Sequence, residues 1–197
     1  MDRLTASFVL GFHGCDRAAG EALLNNQSPV PSNEDYDWLG PGVYFWEANP
    51  VRGLQFAREK AKRKGGRLKE PFVVGAILDL GRCLDLTTAA SIAKLSIAFK
   101  ILEEEHQASG RPLPQNSSDP DSLRRFLDCA VIRRVHSIVE QSGELAFDTV
   151  RGIFQEGRPA FPGSGILHKT HVQIAVRNPN NIKGFFRVRP EFLTGAV

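Results

Sequence analysis

Residues Phe72 to Leu78 form an almost continuous apolar run that includes β-branched side chains. A strand with one wet face alternates polar and apolar residues. This run does not, so it predicts a central strand covered on both faces. Whatever the chain folds into must therefore supply a layer on each side of that strand.

The flanking sequence offers such layers. Phe8 to Phe12 reads as a short buried strand ending at His13-Gly14, after which Asp16 can cap a helix to about Leu24. Residues 25–37 are polar and carry Pro29 and Pro31, a loop signature. Gly40-Pro41-Gly42 turns the chain into a strand, Val43 to Trp46. Asn49-Pro50 then starts a helix, with Leu54, Ala57 and Ala61 on one face and Gly65-Gly66 as the stop. Another short strand is expected near Cys83 to Leu86. Two amphipathic helices follow. Ile92, Leu95, Phe99 and Leu102 share a face in the first, and Leu123, Leu127, Val131, Val135 and Ile138 in the second, which Asp119-Pro120 should start. The Pro- and Ser-rich segment between them, 110–118, should lie outside any core. Strands are expected again over 147–154, 172–176 and 184–188. Between the first two of these, residues 157–170 hold three glycines and two prolines and must form a loop. Strands, an all-helical middle and strands again describe an α+β domain with a mostly antiparallel sheet.

Several classes are disfavoured at this stage. With 42% hydrophobic and 24% charged residues, the 197-residue chain belongs with single globular domains rather than disordered ones. No stretch approaches membrane-spanning length, and the run from Phe8 to Phe12 is too short for a secretory signal. The three cysteines, Cys15, Cys83 and Cys129, include no CxxC pair. They suggest reduced thiols in a cytoplasmic protein, not a metal site or a disulfide framework. A charge of +3 allows an anionic ligand without requiring one. The basic run Lys60, Lys62, Arg63, Lys64, Arg67 and Lys69 suits either a solvated helix end or a phosphate backbone.

Three places concentrate chemistry: His13-Gly14, the turn and strand Gly40 to Phe45, and His171-Val172-Gln173. Singly, each has an ordinary explanation, such as a hydrogen-bonded histidine at a strand end. In this order they resemble the catalytic domain of the ADP-ribosyltransferase superfamily, poly-ADP-ribose-polymerase type. Phe12-His13-Gly14-Cys15 is similar to that family's His-Gly start. Residues 39–57 resemble its Gly-x-Gly-φ-Tyr-Phe strand and following helix, and residues 72–86 its next apolar strand. Gln173 stands where a His–Tyr–Glu pattern would have its Glu, which makes this a His–Tyr–Gln variant. The resemblance runs from Phe8 to Val176.

The resemblance implies a split central sheet in one catalytic domain, 1–197, with residues 88–142 as a helical insertion. That insertion would either pack beside the sheet or face a partner. It implies NAD⁺ as a substrate and no metal. His13 would hold a ribose hydroxyl, Gly14 would let its backbone meet the nicotinamide carboxamide, and Tyr44 and Phe56 would stack on the ligand. Gln173 would contact the nicotinamide ribose, but it lacks the charge to act as a general base. Glu156 and Asp148 are candidates for that role, and His171 would share the face of Gln173. The loop 157–170, with Glu156 at its start and with Phe161 and His168, would select a macromolecular acceptor, protein or nucleic acid. A bacterial toxin or phage-defence enzyme, with a neutralising antitoxin as partner, fits the resemblance. So does a catalytically silent NAD⁺- or ADP-ribose-binding module.

Overall fold

A computed structural model describes residues 8–63, 68–118 and 123–194. Seven strands form one sheet: β1 (Phe8–Asp16), β2 (Val43–Glu47), β3 (Pro71–Asp79), β4 (Cys83–Asp85), β5 (Thr149–Phe154), β6 (His171–Val176) and β7 (Ile182–Arg187). Their order is β4-β5-β6-β2-β1-β3-β7, and every pairing is antiparallel except β4 with β5. The architecture is thus α+β with a mostly antiparallel sheet. The apolar run at 72–78 lies in β3, an interior strand.

β1 does not stop at His13-Gly14 as the sequence suggests. All nine of its residues pair with β3, from Phe8 opposite Asp79 to Asp16 opposite Pro71. The strand continues because β3 offers a full ladder, an influence that lies outside the local sequence. Asp16 ends it and caps α1 (Arg17–Leu24), accepting a hydrogen bond from the Ala18 N–H. Its other oxygen accepts from the N–H groups of Lys69 and Glu70, which ties the helix start to the entry of β3.

Pairing between β1 and β2 is short: Gly11 opposite Glu47 and Phe12 opposite Trp46. Beyond that point the strands part, and the sheet folds over on itself. The ring of Phe45 in β2 lies 6.5 Å from that of Phe185 in β7. Three strand spacings in a flat sheet would be roughly 14 Å. Val43, Phe45, Ala76, Leu78, Ile174 and Val176 fill the inside of this fold.

On the outer side, α2 (Pro50–Lys62) covers Phe12 and Val73 through Leu54. Asn49 caps it as expected, accepting from the Arg52 N–H at 2.9 Å. The expected stop at Gly65-Gly66 lies outside the described residues. α3 (Ala89–Ala108) and α4 (Phe126–Gln141) pack over β4, β5 and β6 around Leu84, Ala98, Ile132, Val135 and Val150, the largest core cluster. The segment 88–142 therefore supplies a layer of the core.

α4 starts at Phe126, leaving Leu123 before it; Asp119-Pro120 lies outside the described residues. The cap is remote: the Asn116 side-chain oxygen accepts from the N–H groups of Leu127 (2.9 Å) and Asp128 (3.3 Å). The Pro- and Ser-rich connection thus fixes the helix start while its own side chains stay out of the core. Among the described residues, no helix is long and apolar enough to cross a membrane.

Candidate functional site

Where β1 and β2 part, a cleft of about 1020 Å³ opens, walled by β1, β2, β6, α2 and the 30–38 loop. It is large enough for a dinucleotide-sized ligand. His13, Gly14, Tyr44, Phe56, Glu156, His171 and Gln173 all line it. Phe161 and His168 do not; both sit exposed on the 157–170 loop. Asp148 stands at the opposite end of β5, accepting from the N–H of Arg82 and the side chain of Asn178.

His13 spans the gap between the two strands. Its Nδ1 lies 2.8 Å from the Tyr44 carbonyl oxygen, which only accepts, so Nδ1 carries the proton. Burial lowers the pKa of the ring, and the positive charge of Lys60 adds to this against the opposing pull of the carbonyl. The ring is therefore neutral near pH 7, and Nε2 is an acceptor. A hydroxyl would therefore donate to His13 Nε2.

Gly14 is required by packing. A Cβ at this position would fall well inside van der Waals contact with the Gly53 carbonyl of α2. The backbone that approaches closely here is that of a helix. Gly14→Ala should therefore cost about 3 kcal/mol by forcing α2 off the sheet. The check is the urea midpoint; an unchanged value would mean the helix shifts freely.

Tyr44 faces the α3–α4 core as well as the cleft. Its hydroxyl donates to the Gly40 carbonyl at 2.8 Å and accepts from the Leu39 N–H at 3.0 Å, bracing the Gly40 turn, where φ is +74°. Burial raises the phenol pKa well above its ordinary value. The ring can take part in stacking, while the oxygen is engaged within the protein. Phe56 packs its ring on Trp46, centroids 4.7 Å apart.

Gln173 is almost buried, and its side-chain oxygen accepts from the Trp38 indole N–H at 2.6 Å. An indole N–H only donates, which settles the amide orientation. Gly152, opposite Gln173 on β5, makes room: a Cβ there would sit 2.7 Å from the Trp38 ring.

Glu156 lies at the cleft floor instead of on the open loop. It forms a buried ion pair with Arg52 of α2, and Arg52 also reaches Glu59 at 3.5 Å. Glu59 in turn accepts from Lys169 at 2.9 Å. Four alternating charges thus tie both ends of the 157–170 loop to α2. His171 donates through Nδ1 to the Lys169 carbonyl, and burial lowers its pKa to about 4.

Sequence reasoning missed Trp38, Trp46 and Arg52. Nothing local to Trp38 in its polar loop signals that it reaches Gln173. Of the basic run, Lys60 and Arg63 line the cleft, and Lys64 and Arg67 lie outside the described residues.

The chain is similar to Uncharacterized protein MJ0359 of Methanocaldococcus jannaschii, 25% identical over 191 residues, covering 87% of this chain and 83% of the relative. No family model and no solved structure matches it.

Proposed function

We propose that this protein is an NAD⁺-dependent ADP-ribosyltransferase with the ADP-ribosyltransferase type of split sheet. The observation that carries the reading is convergence. His13, Tyr44 and Gln173, the three positions of the sequence pattern, come from separate strands and line one cleft of suitable size. In this reading a ribose hydroxyl donates to His13 Nε2, and Tyr44 gives a flat surface to the nicotinamide. Gln173 holds the nicotinamide ribose. Nicotinamide leaves with the electrons of its glycosidic bond, and an acceptor on a macromolecule attacks the ribose carbon. Orientation and electrostatic preorganisation supply the rate. A role as a cytoplasmic toxin or defence enzyme, held in check by an antitoxin, is part of the same reading.

A second reading is favoured by one contact. The Gln173 oxygen already accepts from Trp38, as it would in a module that binds NAD⁺ or ADP-ribose without turning it over.

Nicotinamide release from NAD⁺ separates the two. In a transferase, Gln173→Ala should lower the rate by roughly 100- to 1000-fold, the loss of one well-placed polar contact to a transition state. NAD⁺ should still raise its melting temperature. Gln173→Glu should retain activity. Full activity in Gln173→Ala would remove Gln173 from the site. A wild type that is shifted by NAD⁺ but never releases nicotinamide, beside a Gln173→Glu variant that does, would establish the silent module.

A further inference from the structure

Three side chains at the α2 end of the cleft are each more than nine-tenths buried yet carry polar atoms with no hydrogen-bond partner among the described residues. They are Trp46 (2% exposed) through Nε1, Arg52 (5%) through Nε and Nη1, and His171 (6%) through Nε2. The groups adjoin one another. The rings of Trp46 and His171 are 6.1 Å apart, and the Arg52 guanidinium carbon is 5.8 Å from the Trp46 ring centre. All three residues line the cleft. Buried polar atoms without partners are costly, so such a cluster marks a place where a polar group from outside belongs.

The donor and acceptor pattern restricts that group. Trp46 and Arg52 offer only N–H donors. His171 uses its Nδ1 proton on the Lys169 carbonyl, which leaves a lone pair on Nε2. A hydroxyl suits both sides, accepting from an N–H and donating to Nε2. A carboxylate has no proton for Nε2 and would set lone pair against lone pair. A guanidinium or ammonium group has no lone pair for the donors and would bring a second cation beside Arg52.

We propose that His171 takes the proton of a hydroxyl acceptor held by the Trp46 and Arg52 N–H groups, making the attacking group water or an alcohol. The assignment rests on the ADP-ribosyl transfer reading. His171 stands two residues from Gln173 on the same face of β6, roughly 7 Å along the strand. In the step, the hydroxyl oxygen forms a bond to the nicotinamide-bearing ribose carbon. The carbon–nitrogen bond breaks, and its electron pair neutralises the nicotinamide ring. The proton on the attacking oxygen passes to His171 Nε2 and then to solvent. An oxygen already bonded to that carbon is far more acidic than an imidazolium, so a buried imidazole is basic enough. Gln173 cannot take the proton, and Glu156 is committed to Arg52.

The test incubates NAD⁺ with the protein alone and with glycerol, acetate or methylguanidine added, and identifies products by mass. The expected products are ADP-ribose from water, an O-linked ADP-ribosyl glycoside from glycerol, and no adduct from the other two. His171→Phe keeps a ring against Trp46 and Phe154. It should lower product formation at least 100-fold while NAD⁺ still raises the melting temperature. Free imidazole should restore part of the activity of His171→Ala. An undiminished rate in His171→Phe, or an adduct preferred with acetate or methylguanidine, overturns the assignment and leaves the transferase reading intact. A wild type that neither binds nor cleaves NAD⁺ overturns both.

Discussion

Replacing Arg52 by Ala should destabilise the fold by about 3–5 kcal/mol, because it leaves the buried Glu156 carboxylate without its countercharge. The side chains of the pair are only 6% and 5% exposed. Removing one partner leaves the desolvation cost of the other without its Coulombic compensation. The double variant Arg52→Met, Glu156→Leu removes both charges and should recover most of the loss, since apolar groups of similar volume replace a buried pair with little net change. Urea unfolding of the wild type, the single and the double variant measures the difference. A cost under about 1 kcal/mol in Arg52→Ala, typical of exposed pairs, would show that water reaches Glu156.

His136 of α4 should make the protein sensitive to acid. It is 5% exposed, and neither ring nitrogen has a partner among the described residues. Burial, with the charges of Arg177 and Arg133, pushes its pKa down to about 3. An unfolded histidine titrates near 6.5. Between these values the unfolded chain binds the proton and the folded one does not. The stability contributed by the neutral ring is complete above pH 6.5 and is lost as pH falls toward 3, at up to about 1.4 kcal/mol per pH unit. From pH 7 to 4.5 the loss should be about 2–3 kcal/mol from this residue, and His171 adds to it over a similar window. His136→Leu removes this part of the slope and should raise stability at pH 7 by about 1 kcal/mol, because two unpaired polar atoms leave the core. Unfolding free energies at the two pH values decide; parallel wild-type and variant curves would clear His136.

Local chemistry made much of the fold legible. Asn49-Pro50 marks the start of α2 because a cap and a fixed φ act within one turn, and the apolar run at 72–78 marks an interior strand by its lack of alternation. What stayed hidden depends on distant partners. β1 runs three residues past His13 because β3 is there to pair with it. α4 starts where Asn116 reaches it. Hydrophobic periodicity tells which face of a helix turns inward, not which sheet face receives it. That is why the sequence left open whether segment 88–142 packs beside the sheet, where it supplies half of the largest core cluster, or faces a partner. The site divides in the same way. His13, Tyr44 and Gln173 could be singled out by residue type and order. Glu156 could not be placed, because its partner Arg52 is 104 residues away. Trp38 and Gln173 are 135 residues apart and meet only because Gly152 leaves room for the indole.

The chain has two tryptophans, Trp38 and Trp46, and both line the cleft. Its tryptophan fluorescence therefore originates entirely at the candidate site. One indole is hydrogen-bonded to Gln173, and the other is packed between Phe56 and His171. The two differ in polarity and in nearby quenching groups, so their emission can be separated with single Phe replacements. The protein carries its own optical probes, both beside Gln173, and ligand titrations need no attached dye.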